Sequence, residues 1–580
     1  MSKLASLKAA SSLRTFAPLL GLPASALAFT LYKIPQDKKY TTFSIPKKTG
    51  GTREIKAPIE RLKRLQRYLV DLLTECRIEI EAKTNRKVVS HAFRSRASIS
   101  TNAAEHRKRR YVLNLDLEDF FPTFNYGRVR GYFMKNKDFG LHERVATVIA
   151  QIACDGFSLP QGSPCSPIIS DLIAHLLDVK MLQLARKHRC TYSRYADDIT
   201  FSTNRRSFPQ ELAFQVASES SAWALGDELL DQVSRAGFSV NHKKTRVQYR
   251  GSLQVVTGLS VNEKVNIRAA YYRGARAMCA GLFATGTYFL GGKVVQNGIE
   301  APKGSLAQLE GILNHIYFIK GVEANRTSPK IERASPAEAL PTGRGIVKLY
   351  ERFLFFKKFI ILDRPVIVCE GKTDSIYLDA AIRHLPAYAG TLFEEKGGKK
   401  ASKIGYFNYS GITRHVMSLG GGASQFPPFI NRYAAMVRTY QYAPLKHPVI
   451  LLIDNDDGAK GASGIFKSIK HTTITHNTAL PFYRITHNLY LVKTPEAGVD
   501  GYSKIEDLFS QETLEIELNG KKFNSGGKIN PLTDYGKLVF AERIVAPQAA
   551  NIDFSGFVPL LDRIVATINY HSTIEPTSAV

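Results

Sequence analysis

Two aspartates stand side by side in Tyr195-Ala196-Asp197-Asp198. Strand-forming residues flank them, Tyr192 to Arg194 before and Ile199 to Phe201 after, which predicts the turn of a β-hairpin. Adjacent carboxylates repel, and they ionise together only where a positive charge neutralises them. Mg²⁺ and similar oxygen-seeking cations do this; a solvated Asp-Asp turn is the plain alternative. A third acid, Asp116, ends the predicted strand Asn114-Leu115-Asp116, ahead of a predicted helix. Taken alone it reads as a helix cap. Together, three carboxylates from separate segments are what two-metal phosphoryl transfer uses: one ion activates the attacking hydroxyl and both stabilise charge on the phosphate. Further acids lie downstream. Glu370 follows the apolar run Pro365-Val366-Ile367-Val368-Cys369, and Asp454 and Asp456 follow the apolar run that ends at Ile453. Acids at the carboxyl ends of neighbouring parallel strands occupy the ligand position of an open α/β sheet. Asp374 either joins such a site or caps the helix after it.

The elements that must carry these residues can be read along the chain. Residues 1–35 read as short helices, with Ser12 as a cap. Residues 40–58 read as a basic hairpin turning at Lys47-Lys48-Thr49-Gly50-Gly51, and 59–83 as a helix. Strands and helices alternate from Tyr111 to Val261. Leu159-Pro160-Gln161-Gly162-Ser163-Pro164 makes a rigid turn before the helix Ile168–Leu184, suited to line a nucleotide pocket. Residues 265–320 look helical and basic, 321–345 an exposed linker or insertion, and 346–360 a helix. From Arg364 strands and helices alternate again: a strand at 365–369, a helix from Ser375 to His384, a strand near Gly405–Tyr409, a helix near Pro428–Tyr440 and a strand at 447–453. Unbroken apolar strands of this kind predict a parallel α/β domain.

Composition narrows the partners. Lys and Arg number 79 against 51 Asp and Glu, a net charge of +28 that implies a polyanion, nucleic acid first. An anionic membrane surface ranks second, since no apolar run has the length of a membrane span. The six cysteines are scattered without metal-site spacing, which fits a reducing cytoplasm. The apolar stretch Phe16 to Phe29 has some features of a secretory signal, but Pro18, Gly21 and Pro23 interrupt it.

The ordered set Asp116, Leu159-Pro160-Gln161-Gly162, Tyr195-Ala196-Asp197-Asp198, Gly237-Phe238 with Lys244-Thr245, and Val256-Thr257-Gly258-Leu259 resembles the reverse transcriptases. Asn102-Ala103-Ala104-Glu105-His106 and the Val-Thr-Gly element resemble the retron branch. The resemblance covers roughly residues 15–320. It implies a right-hand polymerase (fingers and palm about 36–262, thumb about 263–320) within residues 1–320. By resemblance, Asp116, Asp197 and Asp198 hold two Mg²⁺ ions, Arg53 contacts the triphosphate, and Phe121 screens the sugar 2′ position. Gln161 lines the nucleotide pocket, and Lys244 meets the leaving pyrophosphate unless it is simply a solvated lysine. Asn102, His106, Tyr271, Arg273 and Arg276 are implied nucleic-acid contacts, with Lys293 and Lys320 further basic candidates.

After a connecting segment, 321–363, residues 364–580 resemble the Toprim domain, a Rossmann-like α/β fold, through Glu370 and the Asp454-Asn455-Asp456 cluster. Glu506-Asp507 resembles a late acidic element of its nuclease members; it completes a second metal position or only favours a helix N-terminus. The expected fold class is therefore multidomain α/β and α+β. Glu370, Asp374, Asp454, Asp456 and Glu506 would hold one or two Mg²⁺. The combined resemblance implies a bacterial, cytoplasmic enzyme that binds its cognate noncoding RNA. It would use deoxynucleoside triphosphates to make a branched RNA–DNA, the multicopy single-stranded DNA. The Toprim half would be an antiphage effector nuclease, with transfer RNA, other RNA or DNA all open as substrate. Self-association stays open. Three rivals remain: another mobile-element reverse transcriptase, a primase-like Toprim half, and a scaffold whose Toprim half is inactive.

Overall fold

The structure, a computed structural model, describes all residues except 1, 47–49, 85–87, 217–221, 292–294, 297–298, 301, 328–343, 457–463, 470–472, 498–500, 527–528 and 575–580. The tip Lys47-Lys48-Thr49, most of the expected linker, Lys293 and Asp457-Gly458 lie outside the described residues. The chain divides into two compact units, Met1–Arg268 and Ala269–Val580. The helices expected to form a thumb thus belong to the second unit.

In the first unit, short helices open the chain. Ser12 caps Leu13–Phe16 in a capping box with Thr15. The apolar stretch that follows turns inward, burying Phe16, Leu20 and Leu27 in the core. Among the described residues no single helix is long and apolar enough to cross a membrane; one bent helix pair, Leu13–Leu20 with Ala24–Lys33, passes by length and composition only. Strands β1 (Tyr40–Pro46) and β2 (Thr52–Pro58) pair antiparallel over seven residues. Gly50 and Gly51, with φ of 89° and 78°, supply the left-handed backbone near their turn. Helix α1 (Glu60–Thr84) buries Leu62, Leu65, Leu69, Leu72, Leu73, Cys76 and Ile80, an apolar stripe at helical spacing.

Four strands make the central sheet of this unit: β3 (Tyr111–Asp116), β4 (Thr191–Tyr195), β5 (Asp198–Thr203) and β6 (Arg246–Tyr249). Their order is β4-β5-β3-β6, all antiparallel. Helix α2 (Ser166–Lys187) carries a buried face that includes Ile169, Ile173, Leu177 and two acids, Asp171 and Asp178. The segment after Asp116 is not the expected immediate helix. It runs through turns, with Asp119 at φ 42°, and helix begins only at Tyr126.

The second unit begins with helices α3 (Ala269–Thr285), α4 (Leu306–Thr327) and α5 (Arg344–Phe355), the last continuing as a π-helical turn, Phe356–Ile360. Its five-stranded sheet contains β7 (Val366–Cys369), β8 (Gly405–Tyr406), β9 (Val449–Ile453), β10 (Tyr483–Thr486) and β11 (Leu489–Lys493), in the order β8-β7-β9-β11-β10. All neighbours are parallel except β10. Strand β9 is buried throughout, which explains its unbroken apolar sequence; β11 is equally buried, and its one charged residue, Lys493, pairs with Glu496 at 2.7 Å. Helix α6 (Asp374–His384) follows β7 and packs Tyr377 against Phe509 and Phe540 from the C-terminal segment.

Candidate active sites

The register of the central sheet gathers the first three acids. Asp116 lies directly opposite Asp198 on β3 and β5. Asp197 occupies the turn between β4 and β5, and its carbonyl accepts from Leu117 N–H at 3.0 Å. Burial first, then the neighbouring Asp197 and Asp116, pushes the Asp198 carboxyl up to about 6; burial and Asp116 raise Asp197 in the same way. Lys244 Nζ donates to Asp116 Oδ1 and Oδ2 at 2.9 and 3.0 Å, and this bond raises the lysine in turn. Among the described residues no group of three acidic, His or Cys side chains is arranged to enclose a metal ion. The donor set nevertheless fits one: three hard oxygen ligands, two resisting ionisation, and an ammonium already drawn to the third.

A cleft of about 690 Å³ opens beside these acids. Arg53, Phe121, Gln161 and Lys244 all line it with Asp116 and Asp197. Phe121 is held by ring contacts with Phe120 and Phe93, at 5.5 and 6.4 Å. The Leu-Pro-Gln-Gly turn lies backbone to backbone on the hairpin: Lys56 N–H donates to the Gln161 carbonyl at 2.8 Å. Gly162 explains the approach. Its φ is 114°, and a Cβ there would stand 2.9 Å from both Ile55 Cγ2 and the Lys56 carbonyl. Lys56 and Asp155, paired at 2.7 Å, also line the cleft. Asp155 carried no sequence signal, being a lone acid in a loop.

Beneath the turn lies a buried ion network. Arg194, fully buried, grips Asp178 with Nε and Nη2, both at 2.7 Å. Nη2 also reaches Asp171 at 3.1 Å, and Nη1 donates to the Ala196 carbonyl at 3.2 Å. Asp171 and Asp178, seven residues apart, share one face of α2. Asp171 further accepts from Arg77, Ser90 and, through an ion pair, Arg94. Ala196 has φ 55°, a left-handed conformation unusual for alanine, so the turn that presents Asp197 is held from below.

Asn102 and His106, expected to touch nucleic acid, are fully buried instead. His106 is bonded through Nδ1 to Ser202 Oγ and through Nε2 to Ser193 Oγ, both at 2.7 Å, and Ser193 Oγ donates to Asn102 Oδ1 at 2.7 Å. The motif therefore clamps β4 to β5, the two strands of the hairpin that presents Asp197 and Asp198. Burial, Arg109 and His91 push the imidazole down to about 3, so it is neutral. Tyr271, Arg273 and Arg276 are exposed on α3 of the second unit.

A family model described as reverse transcriptase (RNA-dependent DNA polymerase) matches residues 45–267. The retron Mx65 reverse transcriptase of Myxococcus xanthus is 32% identical over 330 residues, covering 53% of this chain and 69% of that protein. The retron Ec86 reverse transcriptase of Escherichia coli is 31% identical over 250 residues, covering 43% and 71%. The chain belongs to the retron reverse transcriptases. A third relative, the retron Mx162 reverse transcriptase of Myxococcus xanthus, is 31% identical over 271 residues; the match spans 43% of this chain and only 53% of that protein.

The second acidic cluster of this retron reverse transcriptase lies beyond residues 45–267, which the family model matches. Strands β7 and β9 are adjacent and parallel, so Glu370 and Asp454 leave the same edge of the sheet. Asp454 N–H points at Glu370 Oε2, 3.3 Å away. Asp374 accepts from Gly371 N–H at 2.7 Å at the start of α6. Asp454 Oδ1 accepts from Ile505 N–H at 3.0 Å, which brings the buried Glu506 alongside. Burial, followed by Asp374, Glu370 and Glu506, pushes the Asp454 carboxyl up to about 8. Burial also raises Glu370, Asp374 and Glu506, and the charge of Asp456 adds to the effect on Glu370. Lys537 Nζ, 2.9 Å from Glu506 Oε2, brings a positive charge into the cluster. The sequence did not single out Lys537, which lies thirty-one positions after its partner. These hard, crowded oxygens fit a divalent cation on the same grounds as the first site.

Proposed function

We propose that this retron reverse transcriptase copies part of its cognate structured RNA into a branched RNA–DNA, the multicopy single-stranded DNA. RNA-directed DNA polymerisation is the family's activity. The carrying observation is the convergence of Asp116, Asp197, Arg53, Phe121 and Gln161 on one cleft, with Asp198 paired across from Asp116. Asp116, Asp197 and Asp198 would hold two Mg²⁺ ions, which supply Lewis-acid stabilisation of the phosphate charge and a more acidic primer hydroxyl. Arg53, on the exposed hairpin, binds the triphosphate of an incoming deoxynucleotide. Phe121, braced by Phe120 and Phe93, excludes a 2′-hydroxyl by its bulk. Gln161, on the turn bonded to the hairpin, orients the nucleotide. Lys244 exchanges Asp116 for the pyrophosphate, where its ammonium neutralises charge or gives up a proton.

Residues 364–580 we read as a Toprim-type nuclease that acts as the effector of antiphage defence. Glu370, Asp374, Asp454, Asp456 and Glu506 would hold its one or two Mg²⁺. The shared parallel-sheet edge and the crowding of its acids support this reading.

Purification of the full chain from cells carrying its native locus, followed by sequencing of its bound nucleic acid, tests the first proposal. A small single-stranded DNA joined to RNA is expected, resistant to proteinase and shortened by ribonuclease; RNA alone would overturn it. In the Asp197→Asn, Asp198→Asn double variant the RNA is expected to remain bound and the DNA to vanish. On this reading the nuclease is toxic and is held inactive by the assembly of the reverse transcriptase with its RNA and DNA; Glu370→Gln is expected to relieve the toxicity seen when that assembly is disrupted, and undiminished toxicity would overturn the effector reading.

A further inference from the structure

Arg128 stands on the helix Tyr126–Lys135, outside the lining of the nucleotide cleft. It is half-buried, and no carboxylate acts on it among the described residues. Its guanidinium is engaged in two other ways. Nη2 and Nη1 donate to the carbonyls of Ala236 and Gly237, at 2.7 and 3.1 Å. Its face lies over two rings, Phe238 at 4.4 Å and Phe124 at 5.0 Å. Gly237 makes the approach possible: its φ is 75°, and a Cβ there would stand 3.3 Å from Nη1. Phe238 and Phe124 meet edge to face at 5.6 Å and box in a third ring, Phe120. Phe120 stacks on Phe238 at 6.1 Å and meets Phe124 at 5.0 Å. All three rings are buried. Phe120 in turn braces Phe121, which lines the cleft.

We infer that Arg128 is a positioning residue for sugar selection, acting on Phe121 through Phe238, Phe124 and Phe120. The inference rests on the reading of Phe121 as the wall that excludes a 2′-hydroxyl. A steric wall selects only as well as it resists displacement, because a ring that tilts away admits the extra oxygen. Phe121 borders an open cleft on one side, so its resistance comes from the rings behind it. A cation over an aromatic face attracts it most strongly where both are withdrawn from water. The two carbonyl bonds keep the guanidinium from sliding off the rings. Without it Phe124 and Phe238 relax toward the space it leaves, and Phe120 follows. The loop from Ala236 also leads to Lys244. A disturbance passed along that backbone would slow both sugars alike, whereas one passed through the rings changes the choice between them.

The test is extension of oligo(dT) on poly(rA) by the full chain with Mg²⁺, comparing kcat/KM for dTTP and for UTP. Arg128→Met fills the space without a charge or a donor. In it the dTTP-to-UTP ratio is expected to fall by about tenfold, chiefly through better use of UTP. The kcat/KM for dTTP should stay within about threefold of wild type. Phe121→Ala scores the underlying reading: it is expected to lower the ratio at least as far, and an unchanged ratio would overturn the steric wall itself. If Arg128 acts through Phe121, adding Arg128→Met to Phe121→Ala changes the ratio no further. An unchanged ratio in folded Arg128→Met, with Phe121→Ala relaxed, would overturn the inference alone. So would additive effects in the double variant, or an equal loss of dTTP and UTP use. Melting temperature checks folding. Arg128→Lys, which keeps the charge but not the two-carbonyl fork, replaces Arg128→Met if that variant misfolds, with a fall in the ratio expected in the same direction.

Discussion

Substitution of Arg194 separates the holding of the catalytic turn from the binding of substrate. Arg194→Lys keeps the buried charge but not the planar fork. A lysine reaches one carboxylate, so one arm of the Asp178 pair, or the Asp171 bond, is lost together with the bond to the Ala196 carbonyl. Hydrogen bonds to charged groups contribute about 1.5–3 kcal/mol each, so a loss of about 3 kcal/mol is expected. In a unit of this size that lowers the melting temperature by about 6–12 °C. The kinetic consequence is distinct. With its carbonyl released, Ala196 relaxes from its left-handed φ and displaces Asp197, and a misplacement of about 1 Å costs about a hundredfold in rate. The nucleotide walls, Arg53, Phe121 and Gln161, lie outside the network. Steady-state extension of oligo(dT) on poly(rA), run well below the variant's melting temperature, should therefore show kcat falling about ten- to a hundredfold while KM for the nucleotide stays within about twofold. A kcat equal to wild type in a destabilised variant would refute the positioning role. A rise in KM matching the fall in kcat would show that the network serves substrate binding instead.

Gly162→Ala places a Cβ 2.9 Å from the Lys56 carbonyl at a φ of 114°; reduced stability and a raised KM for nucleotide are expected, measured by melting and primer extension. His106 is held neutral, with its folded value pushed down to about 3 against an ordinary 6.5. Its contribution to stability is present above pH 6.5 and lost as pH falls toward 3, at about 1.4 kcal/mol per pH unit. His106→Gln should remove that slope from denaturant titrations across pH 4 to 6. Asp454 has the opposite sign, because its carboxyl is raised to about 8: the stability of its protonated form is lost as pH rises from about 4 through 8. A divalent ion must displace that proton, so stabilisation by Mg²⁺ in thermal melts should strengthen between pH 6 and 8. Asp454→Asn should flatten the dependence, and an equally steep profile in the variant would place the proton elsewhere.

Local pattern carried much of this molecule. The unbroken apolar strands before Glu370 and Asp454 forecast a parallel sheet, and flanking strand formers forecast the Asp197 turn. These are properties of a few consecutive residues, which the chain displays directly. The groups that hold the polymerase site were not legible in the same way. Asp171 and Asp178 appear in the sequence as two acids in an apolar helix, and only the fold brings Arg194 between them. Asn102 and His106 form a recognisable motif, but a polar motif reads alike whether it faces nucleic acid or locks two strands. Their burial against Ser193 and Ser202 decides between the two. Lys537 reaches Glu506 only because the C-terminal segment returns to the sheet edge.

The backbone bond from Lys56 to Gln161, packed tight by Gly162, joins the hairpin to the Leu-Pro-Gln-Gly turn beside it in the cleft. Movement of the hairpin strand that carries Arg53 is thus coupled to the backbone of Gln161. A triphosphate that draws the hairpin inward also presses Gln161 against the base and sugar it accompanies. On the roles proposed for Arg53 and Gln161, copying accuracy would be tied to triphosphate engagement, and substitutions in the exposed hairpin should register as changed error rate as well as weakened nucleotide affinity.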